Sequence, residues 1–188
     1  MGTPSGRRSA ASRSWRGRPS WRAETAVRES GMAYTIIRPS WVFGPEDVAL
    51  NRFLGMSRFL PFVPLIGNAG KQRLQPVFVD DVARAVAESL DKPAADNKVF
   101  EIGGPEVLTM REIVQTALHV AGRKRLLLAS PKLVMKLVAS IIQFAPGRPL
   151  TPDAVDFITM DALADPAELE QALGLKMTPL REALSTYL

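Results

Sequence analysis

Residues 30–47 read SGMAYTIIRPSWVFGPED and carry the clearest fold signal in the chain. Residues 34–38 are β-branched and aromatic, which predicts a strand that Pro39 ends. Helical spacing of apolar residues over 21–30 predicts a preceding helix, and Gly31 is a typical helix stop. A helix, a short turn and an apolar strand form half of a crossover unit, so a buried parallel sheet is expected.

The following residues continue this alternation of strands and helices. Residues 77–79 form a short extended run, and Asp80 or Asp81 is expected to cap a helix over 82–90. Four apolar residues are predicted to form the buried face of that helix: Val82, Ala83, Val86 and Leu90. A second strand is predicted over 98–102, and the Thr109–Glu112 capping box predicts a helix after it.

Residues 51–76 are predicted to be an irregular loop, since two glycines and three prolines interrupt them near their end. Many apolar side chains lie between these interruptions. A long apolar loop in a compact domain is often a lid or a binding loop. The alternative is that the segment only covers the core.

Residues 126–188 are predicted to form a lobe of short helices without a sheet. Ser130–Pro131 begins a helix over 131–145 that is apolar on more than one side, so it is expected to pack on the domain or on a protein partner. Cap-then-proline starts at Thr151, Asp165 and Thr178 predict three further helices. The predicted organisation is a tail (1–20), a sheet-bearing domain (21–125) and a helical lobe (126–188).

Composition excludes several chemistries. The 188 residues contain no Cys, which excludes disulfides, thiol nucleophiles and thiolate metal sites. His119 is the single histidine, so no two-histidine metal cluster can form, and it is expected at the surface. No metal site is predicted.

The net charge of +5 comes from the tail. Residues 1–22 contain six arginines and no acid, so the remaining chain is nearly neutral and nucleic-acid binding is not favoured. Residues 1–20 have almost no aliphatic side chains and are predicted to be disordered. A transit peptide, a basic arm and sequence foreign to the protein are the alternatives. No uninterrupted apolar run reaches the length of a membrane span, so membrane contact is expected to be at most peripheral.

Three segments carry a family resemblance: SGMAYTIIRPSWVFGPED, QPVFVDDVARAVAESL and KVFEIGGPEVLTMREIVQ. They resemble the NAD-dependent epimerase/dehydratase-like branch of the short-chain dehydrogenase/reductase superfamily, in particular atypical members similar to the nucleotide-binding accessory subunit of respiratory complex I. The resemblance implies an α/β fold: the C-terminal half of a Rossmann-type doubly wound parallel sheet plus a small helical lobe. The glycine-rich first half of that fold is not found in the sequence.

The resemblance also implies site residues. The backbone after the first strand would face the nicotinamide of NAD or NADP, at Pro39, Ser40, Trp41 and Val42. Substrate contacts would come from Asn51, Arg52, Arg73 and Gln75. The Tyr-x-x-x-Lys pair of active relatives falls on Arg16 and Ser20, so no catalytic residue is predicted.

Three functions remain open at this point. The chain is either an incomplete NAD(P)-binding protein that is inactive alone, or an assembly subunit of a respiratory NADH:quinone oxidoreductase, or part of an active oxidoreductase or sugar-nucleotide epimerase. An assembly subunit would dock through an exposed sheet edge or the helix over 131–145. A cytoplasmic location is expected, with membrane association through a complex as the alternative.

Overall fold

The computed structural model describes residues 19–67, 71–131, 133 and 161–188. Its elements, in chain order, are α1 (Pro19–Glu29), β1 (Thr35–Pro39), β2 (Trp41–Phe43), α2 (Val48–Phe59), β3 (Phe62–Ile66), β4 (Pro76–Phe78), α3 (Val79–Asp91), β5 (Lys98–Ile102), α4 (Met110–Val120), β6 (Leu126–Ser130), α5 (Ala167–Leu173) and α6 (Leu180–Ser185). A short 3₁₀ turn, Pro93–Ala95, precedes β5.

The described strands form three parallel pairs. β1 pairs with β5, β2 with β4, and β3 with β6. Parallel strands need crossover connections, and helices α2, α3 and α4 lie in those crossovers. The expected α/β class is therefore confirmed.

Two apolar cores lie around these pairs. The first core joins α2, β3, α4 and α6, and includes Phe43, Leu50, Ile113 and Leu184. The second core joins β4, α3, β5 and α5, and includes Val77, Phe100 and Leu169. Strand β2 lies between them, because Trp41 packs on the first core and Val42 on the second.

The prediction of a loop over 51–76 is wrong for most of that segment. Residues Val48–Phe59 form α2, and Phe62–Ile66 form β3. Asp47 caps α2 by accepting hydrogen bonds from the backbone N–H groups of Ala49 and Leu50. Leu50, Phe53 and Leu54 lie on one helical face and are buried, so packing outweighs the proline and glycine signals that follow.

The predicted start of the helix over 82–90 is wrong, and its predicted buried face is right only for Val82, which is partly buried and packs on the second core. Helix α3 begins at Val79, and neither Asp80 nor Asp81 provides a side-chain cap. Its buried residues are Asp81, Ala85 and Ser89. Val86 is half exposed and Leu90 is 81% exposed, so the smaller residues face the interior instead.

The lobe over 126–188 contains one strand that the sequence analysis did not predict. Leu126–Ser130 is β6, and its partner is β3. The predicted helix over 131–145 lies outside the described residues, apart from Pro131 and Leu133, which are exposed. The predicted helix start at Thr151 also lies outside them. The tail also lies outside them except for Pro19 and Ser20, which begin α1 rather than continuing a disordered segment.

Local helix signals are confirmed. Thr109 and Glu112 form the capping box of α4, and Gly174 ends α5 with a positive φ of 69°. His119 is exposed, as expected. Within the part of the chain that the structure describes, no helix has the length and apolar character of a membrane span.

Candidate functional site

The residues predicted to face a nicotinamide lie where β1 ends and β2 begins. Pro39 is in register with Ile102, the last residue of β5. The Ser40 N–H donates to the Ile102 carbonyl at 2.9 Å, and the Ser40 hydroxyl donates to the Gln75 carbonyl. This is the carboxyl edge of parallel strands, the position where open α/β sheets bind ligands.

Trp41 and Val42 are anchored rather than projecting into solvent. Both are partly buried, and β2 aligns them with Pro76 and Val77 of β4. Their side chains pack on different cores, so the strand cannot rotate without disturbing both. The four predicted cofactor residues therefore form one rigid segment.

Gln75 joins three separate segments of the chain. The residue is 7% exposed. Its Nε2 donates to the Gly104 carbonyl at 2.8 Å, and its Oε1 accepts from the Ala164 N–H at 3.2 Å. Because both ends of the amide are engaged, Gln75 holds the carboxyl edge together in this arrangement.

The turn after β5 lies unusually close to β4. A Cβ on Gly104 would lie 1.9 Å from the Pro76 carbonyl oxygen, and a Cβ on Gly103 would lie 2.8 Å from the Gln75 amide carbon. Only glycine permits this approach. The Gly103–Gly104 pair in the sequence is therefore a packing signal beside the candidate site.

The other predicted substrate residues lie in different settings. Arg73 is exposed and pairs with Asp161 at 3.7 Å, while its backbone N–H donates to the same carboxylate at 2.9 Å. Asn51 lies on α2 and donates to the Pro45 carbonyl at 2.7 Å. Arg52 is the exposed neighbour of Asn51 on the same helix. The structure brings Ser40 and Gln75 into contact, whereas Arg73 and Asn51 have partners of their own.

A buried ion pair fixes α1 against β1. Arg38 donates from Nε to Glu24 at 2.9 Å and from a second nitrogen to the other oxygen of that carboxylate. The hydrogen bonds that Arg38 donates to Glu24 raise the pKa of Arg38, and the nearby Glu101 adds to this effect. Because the two charges are paired with each other, we assign this ion pair a structural role, in which it holds β1 against α1.

A cavity of about 390 Å³ lies beside α2, and sequence reasoning did not find it. Its walls include Asn51, Arg58, Arg123 and Tyr187. The Tyr187 hydroxyl is buried without a hydrogen-bond partner, and burial together with Asp47 raises the pKa of Tyr187 to about 12. These residues come from three elements far apart in sequence, so no local motif reveals them. Among the described residues, no group of three metal-ligating side chains occurs.

Parallel strands joined by helical crossovers, with a carboxyl edge open to ligands, are typical of Rossmann-type α/β folds. Solved structures share this fold. Thermotoga maritima UDP-Glucose 4-Epimerase superposes with a TM-score of 0.61 at 24% identity, over 89% of this chain and 49% of that chain. RMD from Pseudomonas aeruginosa, complexed with NADPH, superposes with a TM-score of 0.57 at 14% identity, over 90% and 51%. The expected partial Rossmann fold is confirmed.

Sequence comparison finds a family match over part of the chain. Residues 20–103 match the NAD dependent epimerase/dehydratase family. That segment is therefore similar to this family, as its motifs predicted.

Curated relatives include two respiratory subunits. The rat mitochondrial NADH dehydrogenase [ubiquinone] 1 alpha subcomplex subunit 9 is 33% identical over 77% of this chain and 39% of that protein. The Neurospora crassa mitochondrial NADH-ubiquinone oxidoreductase 40 kDa subunit is 27% identical over 89% and 44%. The predicted similarity to the complex I accessory subunit is confirmed. The chain spans less than half the length of these two relatives.

Proposed function

We propose that this chain, which has an epimerase-like fold, functions by binding a respiratory NADH:quinone oxidoreductase. We also propose that it has no catalytic activity alone. The observation that supports this proposal best is the apolar surface of α3. Ala83, Val86 and Leu90 lie one helical turn apart and are exposed. Such a stripe on a domain of this size is typical of an interaction surface.

The sheet next to α3 supports the same function. β1 pairs with β5 alone among the described strands, and all five residues of β1 are only partly buried. An unpaired strand edge invites another chain. The curated relatives are subunits of respiratory complexes by name, which makes such a complex the proposed partner. The proposed location is the cytoplasm, with membrane association through that complex.

The experiment measures co-purification of the full chain with the named oxidoreductase. Val86→Asp should reduce recovery of the complex, because it places a charge in the exposed stripe. Val107→Asp is the matched control, since Val107 is also exposed but lies after β5, outside the stripe. Equal recovery with both variants, or none with the unmodified chain, would overturn the proposal.

Dinucleotide binding is proposed to be weak. The family resemblance places the nicotinamide at the carboxyl edge formed by Ser40 and Gln75. However, the sequence contains no G-x-G-x-x-G turn whose backbone amides would bind the pyrophosphate. Thermal melting with NAD, NADH, NADP and NADPH tests this directly. A ligand present at its Kd adds only about 0.4 kcal/mol of stability. A shift of several degrees at sub-millimolar cofactor would show tight binding and contradict this part of the proposal.

The predicted substrate residues enter this proposal only in part. Arg73 is exposed and is a candidate for an anionic group, because guanidinium binds such groups in a bidentate manner. Asn51 and Arg52 lie on α2, where Asn51 lines the cavity, and Gln75 forms part of the carboxyl edge. Arg73→Gln should leave melting without cofactor nearly unchanged, and an altered response to NADPH alone would support a role in anion binding.

A further inference from the structure

A second exposed apolar surface lies at the start of β3 and β6, away from the α3 stripe. We define the basic–apolar edge by its apolar members, Phe59, Phe62, Leu126 and Leu128, and by the cations beside them, Arg58, Lys124 and Arg125. Phe59 is 87% exposed and Leu126 is 69% exposed. Isolated surface leucines are ordinary, but a phenylalanine this open beside three further exposed apolar side chains is not.

Strand register places the apolar members on one face. Phe62 is in register with Leu126, and Pro64 is in register with Leu128. The intervening residues of β3, Val63 and Leu65, are fully buried. Since side chains alternate along a strand, Phe62, Leu126 and Leu128 point together to the outer face of the pair.

Hydrogen bonds bring the cations and Phe59 to the same end. The Leu126 N–H donates to the Pro61 carbonyl at 3.3 Å, and Arg125 Nε donates to the Ser57 carbonyl at 2.9 Å. Arg123 donates to the Leu54 carbonyl at 2.7 Å and to the Ser57 hydroxyl at 2.8 Å. The loop before β6 is therefore fixed to the last turn of α2, which ends at Phe59.

The two segments that form this edge carry one sign of charge. Residues 48–67 and 119–131 contain five arginine or lysine residues and no aspartate or glutamate. Within the described part of the chain, Arg58, Lys124 and Arg125 form no ion pair with a carboxylate. Arg58 and Arg123 also line the cavity beside α2.

We propose that the basic–apolar edge binds the surface of a membrane that contains anionic phospholipid. Exposed phenylalanine and leucine side chains would enter the boundary of the acyl chains, while arginine and lysine would contact the phosphate layer. A protein partner is less well matched, because the core of a protein interface is depleted in lysine and its rim carries both charges. This inference is independent of the proposed function, since it requires no oxidoreductase.

Vesicle sedimentation with the purified full chain tests this inference. Binding should be measurable with phosphatidylcholine vesicles that contain phosphatidylglycerol, absent with pure phosphatidylcholine, and weaker at high salt. Arg58→Gln with Lys124→Gln should weaken binding roughly 25-fold, about five-fold for each charge. Phe59→Ser with Leu126→Ser should also release the protein.

Matched controls lie elsewhere on the surface. Leu90→Ser removes an equally exposed leucine from α3, and Lys176→Gln removes an exposed cation near α6, so both should bind vesicles normally. Circular dichroism checks that each variant folds, while the lipid and salt comparisons need no variant. Equal binding to both vesicle types, no binding at all, or equal losses in the controls would overturn the inference. Binding only to the oxidoreductase would assign the edge to a protein partner instead.

Discussion

The buried carboxylate of Asp81 gives the sharpest stability prediction. Asp81 is 1% exposed in the first turn of α3. One oxygen accepts from the Thr178 N–H at 2.6 Å, and the other accepts from the Thr178 hydroxyl at 3.0 Å and from Arg84 at 2.5 Å. Asp81 therefore joins α3 to the segment before α6, 97 residues further along the chain.

Asp81→Asn keeps the size of the side chain but replaces one acceptor with a donor. The amide nitrogen must then face either the Thr178 N–H or the pair formed by the Thr178 hydroxyl and Arg84. The lost hydrogen bond involves a charged group, so the free energy of unfolding should fall by about 2 kcal/mol. Thr178→Val removes only the hydroxyl donor and should lower it by about 1 kcal/mol.

Urea denaturation at neutral pH measures these changes. Asp80→Asn is the matched control, because Asp80 is exposed in the same helical turn and has the same relation to the helix dipole. It should stay within about 0.5 kcal/mol of the unmodified chain. If Asp81→Asn costs no more than Asp80→Asn, or shows no coupling to Thr178→Val in a double-mutant cycle, the reasoning is refuted.

Three further predictions use other parts of the fold. Gly104→Ala should destabilise the chain by about 3 kcal/mol, because its Cβ meets the Pro76 carbonyl; Gly55→Ala, in open space within α2, should be neutral or stabilising in the same thermal melts. Gln75→Leu should lower the free energy of unfolding by about 2 kcal/mol in urea, since it leaves two backbone groups unpaired. Because the pKa of Tyr187 is raised, its contribution to stability is full below the ordinary tyrosine pKa of 10 and is lost as pH rises toward about 12. Tyr187→Phe should therefore remove this part of the stability loss that denaturation measures at alkaline pH. An alkaline profile identical to that of the unmodified chain would contradict the assignment.

The features that the sequence predicted correctly are those with local causes. The capping box at Thr109 and the glycine stop at Gly174 depend on residues within one helical turn. Strand β1 was recognised from its own β-branched residues. In the two helix signals the stabilising partner lies a few residues away, and in β1 the strand preference lies in the residues themselves, so each pattern is visible without the fold.

The errors arise where distant partners decide the outcome. Asp81 has the appearance of a helix cap, but besides Arg84 it binds two groups of Thr178, and no local pattern contains both Asp81 and Thr178. Val86 and Leu90 are more hydrophobic than Ala85 and Ser89, yet the two small residues are buried while Val86 and Leu90 are exposed. In the candidate site, Gln75 was recognised from family position, whereas its bonds to Gly104 and Ala164 depend on the completed fold.

The two exposed apolar surfaces differ in their charges, and that difference predicts separate partners. On α3, Arg84 pairs with Asp81, and Glu88 pairs with Lys92 at 2.9 Å, so both signs of charge border the stripe. Mixed charges favour a protein surface, where complementary pairs select the partner. The described segments of the basic–apolar edge, residues 48–67 and 119–131, carry cations and no carboxylate, which favours an anionic bilayer. Val86→Asp should therefore lose the oxidoreductase and keep anionic vesicles, while Phe59→Ser with Leu126→Ser should do the reverse. If either variant lost both activities while remaining folded, the two surfaces would have to act as one.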